Sequence, residues 1–149
     1  MKTLCVALLM SLASGLAYAA DNDVRKQAFH FAPVIEADLG FSRAIRVGNT
    51  LYISGSVGAG EMPAAIKQVY GRIDKTLAAH GLTFQNVVKE TLFTTDLVEF
   101  NKHKELRKQY YAGDYPTSSW VEVSRLNSPE LVLEVEAIAI FPEEDRAAK

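Results

Sequence analysis

From Arg43 to Val47 polar and apolar residues alternate, the pattern breaks at Gly48-Asn49, and a β-rich run resumes from Leu51 to Ser54. Two such runs around a Gly-Asn pair predict a hairpin. Gly55, Gly58 and Gly60 then interrupt the alternation, which reads as a glycine-rich loop at the rim of a pocket. Pro63 stands where a helix can start. Ile66, Tyr70, Ile73 and Leu77 follow at helical spacing, with Gly81 as a stop signal. Val87 to Thr95 predicts a strand with Val88, Glu90, Leu92 and Thr94 on one face. A second helix runs from Glu99 to Tyr111, with Phe100, His103, Leu106 or Arg107, and Tyr110 along its stripe, and Gly113 and Pro116 end it. Trp120 to Ser124 and Leu131 to Phe141 are two further strands. The predicted order is β-β-α-β-α-β-β, an α+β fold whose two helices cover one face of a mixed sheet. Leu133 and Val135 are expected on the uncovered face, which predicts self-association.

The segment ahead of this pattern differs in kind. Met1-Lys2 is followed by an apolar run from Leu4 to Leu16 and by Ala17-Tyr18-Ala19, the arrangement of a cleaved secretory leader. It falls short of the roughly 20 apolar residues of a permanent membrane span. Residues 1–19 are therefore expected to be removed after export to the periplasm or medium, with no membrane attachment afterwards. Residues 20–149 then form a single domain. Asp21 to Leu39 reads as a mixed lead-in, with Pro33 pointing to an extended entry.

Composition narrows the function classes. Cys5 is the only cysteine and lies in the leader, so the mature chain relies on packing rather than disulfides. An apolar share of 48% suits an ordinary core. The net charge of -2 becomes about -3 without Lys2, and no Lys/Arg stripe offers a nucleic-acid surface. His30, His80 and His103 are scattered and match no metal-ligand spacing. No G-x-S-x-G elbow or phosphate loop occurs. Neither a metal nor an organic cofactor is expected.

The most informative chemistry lies in Leu133-Glu134-Val135-Glu136-Ala137-Ile138-Ala139-Ile140. In a strand both glutamates project to one side, roughly 7 Å apart at about 3.3 Å per residue. Two acids in a β-branched run need water, a partner or a task. Pairing of one with an arginine such as Arg125, and solvation of the other, remains open beside catalysis.

Ser42 to Gly55, then Gly81-Leu82-Thr83 with Val87 to Phe93 and Asp96-Leu97, then Pro116 to Leu126 and Glu134 to Ala139 follow one another in an order that resembles the RidA (YjgF) family. The resemblance covers nearly the whole mature chain. It implies a chorismate-mutase-like fold and a homotrimer whose sheets build a central β-barrel, with small-molecule clefts between subunits. It also implies hydrolysis of enamines and imines to carbonyl compounds and ammonia. Glu134 would be the catalytic residue that handles water, while Phe41, Ser54, Gly55, Ser118 and Trp120 would line the substrate cleft. The family's closing motif reads Pro-Ala-Arg-Ser, and its arginine clamps a substrate carboxylate. Here Pro116-Thr117-Ser118-Ser119 places Ser118 at that position, Phe41 stands for a tyrosine, and Ser56 for a glutamine. A neutral hydrogen bond contributes about 1 kcal/mol against about 1.5–3 for one to a charged group, so carboxylate-bearing imines should bind weakly. Two readings follow: a hydrolase for imines without an α-carboxylate, and a non-catalytic trimer that binds small molecules in the same cleft. The ribonuclease activity attached to some relatives is disfavoured by the acidic balance and the absence of a His acid/base pair. Ser118→Arg is expected to restore a carboxylate clamp.

Overall fold

In the computed structural model, which describes residues 25–143, the chain opens with β1 (Gln27–Phe29) and the short helix α1 (Pro33–Asp38). The expected hairpin follows, β2 (Ala44–Val47) with β3 (Thr50–Ala59). Then come α2 (Met62–Ala78), β4 (Val87–Thr94), α3 (Leu97–Tyr111), β5 (Thr117–Glu122) and β6 (Leu131–Ile140). The leader and its cleavage point lie outside the described residues. Pro33 does not extend the chain; it starts α1, where its missing N–H is no loss.

The six strands form one sheet in the order β1-β2-β3-β6-β4-β5. β4 and β5 run parallel, linked by α3, and the other pairings are antiparallel. The sheet is mixed, and α2 and α3 cover one face. Gly48 begins the hairpin loop at φ 59°, which suits the first position of a type II′ turn. At the end of α2 the Leu82 N–H donates to the Leu77 carbonyl at 2.9 Å across left-handed Gly81, a Schellman closure.

The core lies between the helices and the sheet. Ile66, Val69, Tyr70, Ile73 and Leu77 of α2 are buried against Leu51, Leu92, Leu133 and Val135 of the strands. Each such side chain contributes about 1.5–3 kcal/mol by leaving water. Leu133 and Val135 thus belong to the helix-covered face, opposite to the expectation. Glu134, Glu136 and Ile138 take the uncovered face, together with Tyr52, which is 49% exposed.

Two bulges set which side chains face where. Ile53 pairs with Ala137 and Ser56 with Val135, so β3 carries one extra residue around Ser54-Gly55. β4 carries another near Val88, which turns Val87 inward with Glu90, Leu92 and Thr94 and leaves Val88 exposed. The glycine-rich stretch is accordingly strand rather than loop as far as Ala59. Gly58 is where α2 sits closest: a Cβ there would meet the Ala65 carbonyl oxygen at 2.6 Å.

Candidate functional site

A cavity of about 480 Å³ opens where α1, the start of β2, the β3 bulge and β6 meet. Four of the residues expected to act together, Phe41, Ser54, Gly55 and Glu134, line it. Ile35, Leu39 and Leu131 supply apolar wall, and Arg43 adds a cation. The bulge explains this convergence. It admits an extra residue at Ser54-Gly55, and a Cβ on Gly55 would lie 1.9 Å from Glu134 Oε1. The carboxylate rests in the space that glycine leaves free. Burial, and secondly the charge of Glu136, push the Glu134 carboxyl above the usual carboxylate range. The Ser54 hydroxyl donates to the Ser42 carbonyl at 2.7 Å and ties the strand to the segment carrying Phe41.

Glu36 anchors the α1 wall. It is buried, and it takes His30 Nδ1 at 2.6 Å and the N–H groups of Phe31 and Ala32 at 3.2 and 3.3 Å. Burial alone would raise its carboxyl; those hydrogen bonds, helped by the charge of Arg43, outweigh it and hold the group below the usual range. Arg43 Nη1 donates to the Gly55 carbonyl at 3.3 Å, and its Cζ stands 5.4 Å from the Phe41 ring centroid.

Ser118 and Trp120 are elsewhere. They lie on β5 and face the helix layer, because Ser118 is in register with inward-facing Glu90. Glu134 is in register with Phe93, on the opposite face. One copy of the chain therefore does not bring Ser118 to Glu134. Ser118 Oγ instead donates to Glu90 Oε1 at 2.7 Å and accepts from Trp120 Nε1 at 2.6 Å. Arg107 Nε reaches the same Glu90 oxygen at 2.6 Å, and Tyr111 and Tyr70 hydroxyls donate to Oε2 at 2.6 and 3.1 Å. Burial, then the Glu90 charge, raises both phenols far above their ordinary range, which keeps them protonated donors. Sequence reasoning missed this cluster. Its signal was an acid on the apolar face of β4, with an arginine competing with Leu106 for the stripe of α3.

The histidines are engaged separately: His30 with Glu36, His80 with the Thr76 carbonyl, His103 with Glu99. Among the described residues no three His, Cys, Asp or Glu side chains converge as metal ligands.

Comparison with known proteins adds the following. The family described as Endoribonuclease L-PSP matches residues 31–141. A Homo sapiens protein named 2-iminobutanoate/2-iminopropanoate deaminase is 33% identical over 109 residues, which cover 67% of this chain and 79% of its own. A solved Mycobacterium tuberculosis member of the YjgF family aligns with a TM-score of 0.72 at 29% identity, over 78% of this chain and 99% of that one. RidA from an Antarctic Psychrobacter aligns with a TM-score of 0.64 at 31% identity, over 68% and 88%.

Proposed function

Since the chain belongs to the Endoribonuclease L-PSP (YjgF/RidA) family, we propose that it is an exported homotrimer that hydrolyses imines or enamines in clefts between subunits. The α+β RidA-like fold is the scaffold. The observation that carries the reading is Glu134: a carboxyl raised by burial, set against Gly55 in a cavity of small-molecule size. A carboxylate raised toward neutrality is a better proton acceptor than a solvated one.

In the proposed reaction a water oxygen attacks the imine carbon, Glu134 takes one water proton, and the C=N π electrons pass to nitrogen. The carbinolamine nitrogen then receives a proton from Glu134. The hydroxyl proton passes through Glu134 to that nitrogen, the hydroxyl oxygen becomes a carbonyl as the C–N bond breaks, and the bond's electron pair leaves with nitrogen as ammonia. Imine and water give carbonyl compound and ammonia, with no oxidant or cofactor in the balance.

The uncovered sheet face, with Tyr52, Glu136 and Ile138, supports assembly through that surface rather than through Leu133 and Val135. In such an assembly β5 of a neighbour would supply the second wall of the cleft. The leader pattern supports export.

The test is the loss rate of an imine made in situ by an amino-acid oxidase, for wild type and Glu134→Gln. An amide cannot accept water's proton, so the rate should fall by about 10²–10⁴. Equal rates would remove Glu134 from the chemistry. The engagement of Ser118 by Glu90 would then favour the non-catalytic, ligand-binding trimer.

A further inference from the structure

In α1 only Glu36 is buried, so no buried apolar side chain fastens this helix to the sheet. Val34, Ile35 and, just past its end, Leu39 are 83%, 62% and 62% exposed. Isolated helices shorter than about 12–15 residues are marginal in water, and α1 falls well below that length. What keeps it in place is a set of polar contacts to one carboxylate. Glu36 accepts from the Phe31 and Ala32 N–H groups, which folds the entry turn, and is bonded to His30 Nδ1. Arg43 carries the tie onward to β3. Its Nε lies 3.8 Å from Glu36 Oε1, and its Nη1 donates to the Gly55 carbonyl at 3.3 Å.

The place of this helix gives its weak attachment a consequence. Ala32, Ile35 and Leu39 form the α1 side of the cavity that holds Glu134. Gly40 follows at φ 75°, a conformation glycine adopts freely, and turns the chain back toward Phe41. A segment with a glycine joint at one end and directional contacts at the other moves by losing those contacts together. With α1 away, the cavity loses that wall and water reaches Glu134. With α1 in place, the burial that raises the Glu134 carboxyl is preserved.

We propose that α1 is a flap over the Glu134 cavity, and that the Glu36 carboxylate is its catch, released when Glu36 is protonated. Protonation removes the charge that draws Arg43 and leaves the carboxyl with less capacity to accept. The charged groups that face Glu36 are His30 ahead of the helix, Arg43 ahead of β2 and, across the cavity, Glu134 of β6. Burial acts to raise the Glu36 carboxyl, and the hydrogen bonds from His30, Ala32 and Phe31, with the Arg43 charge, outweigh it. The folded value is therefore depressed. The catch contributes fully above the ordinary carboxylate range and is lost as pH falls through the depressed value. The flap stands whether or not the cavity turns over imines.

The experiment is hydrogen–deuterium exchange of the whole protein, wild type and Glu36→Gln, at about pH 6 and about pH 3. It follows the amides of Glu36, Leu39 and Phe41, which bond within the α1 segment, against those of α2. After correction for intrinsic rates, the α1 amides of the variant should exchange faster at the higher pH by about tenfold or more, with α2 unchanged. Wild type should accelerate likewise on acidification, and the variant should not. The wild-type comparison alone carries the test should the glutamine variant unfold. Acceleration of α2 in step with α1 would make Glu36 a support of the whole fold and overturn the flap. So would unchanged α1 exchange in the folded variant, or equal α1 protection of wild type at both pH values.

Discussion

Glu90 and Glu134 stand on neighbouring strands, β4 and β6, and project to opposite faces of the same sheet. Glu90 is fully buried, and four side chains donate to it: Arg107, Ser118, Tyr70 and Tyr111. Glu134 lines an open cavity, lacks an arginine of its own, and is raised by burial and by Glu136. A carboxylate whose lone pairs are all taken is a structural element. A carboxylate left short of partners can accept a proton. The difference lies in the surroundings each strand face provides, since the residue type is the same.

The contrast can be broken most forcefully at Arg107. Arg107→Leu leaves Glu90 as an unpaired charge in the core and should cost about 3–5 kcal/mol of unfolding free energy. The double variant Arg107→Leu with Glu90→Leu should recover much of that. Urea denaturation measures both, and a small loss in the single variant would mean that the pair is solvated. Next comes Gly55→Ala, whose Cβ must displace the flexible end of Glu134. A shift of about 1 Å should lower imine turnover by roughly 10²-fold. Stability should change little, since the obstructing atom is a mobile carboxylate oxygen, so turnover and melting temperature together check it.

A smaller effect is expected from Ser118→Arg. The new guanidinium would find Glu90 Oε1 where Ser118 Oγ now sits 2.7 Å away, and would be drawn to it rather than to a ligand. Turnover of 2-imino acids should therefore change less than about tenfold, or 1.4 kcal/mol. A large gain would show that Arg107 alone satisfies Glu90. The smallest effect concerns Glu134→Gln and stability. A carboxyl raised in the folded state contributes stability below its unfolded value, and that contribution is lost as pH rises through the folded value. The variant should therefore melt slightly higher than wild type at pH 7, and the difference should vanish below about pH 4. A destabilised variant at pH 7 would mean that Glu134 has a partner.

How much of this the sequence disclosed depends on the range of the interactions involved. The 43–54 hairpin and α2 are governed by alternation, a Gly-Asn turn and i, i+3, i+4 spacing, all local, and both appear where they were expected. On β4, Glu90, Leu92 and Thr94 share a face as expected, but one extra residue near Val88 puts Val87 with them in place of Val88, and no local pattern marks it. The face of β6 was misjudged for a different reason. Leu133 and Val135 could be assigned to a face only by knowing where α2 lands. Pro33 was expected to extend the chain and instead starts α1, because a proline is tolerated equally at either place. At the site, Glu134 stood out by itself as an acid in a β-branched run, whereas Phe41, Ser54 and Gly55 joined it only through the family resemblance. The Glu90–Arg107 pair spans 17 residues and two elements, so each neighbourhood shows one half of it, a misplaced acid or a misplaced arginine, and neither shows the pairing.

The anchoring of α3 has a consequence for how the molecule breathes. α2 is fastened by eight buried residues, most of them apolar and interchangeable in their grip, while α3 buries only Phe100, Arg107 and Tyr111. Two of those three hold the sheet through one acceptor, Glu90. Directional contacts of this kind fail together, because a small tilt of the helix breaks them all. α3 and the edge strand β5, joined through Ser118 and Trp120 to the same carboxylate, should open as one unit before α2 does. Their backbone amides should exchange with deuterium earlier than those of α2, so the half of the molecule that carries position 118 is also the half most readily released from the rest.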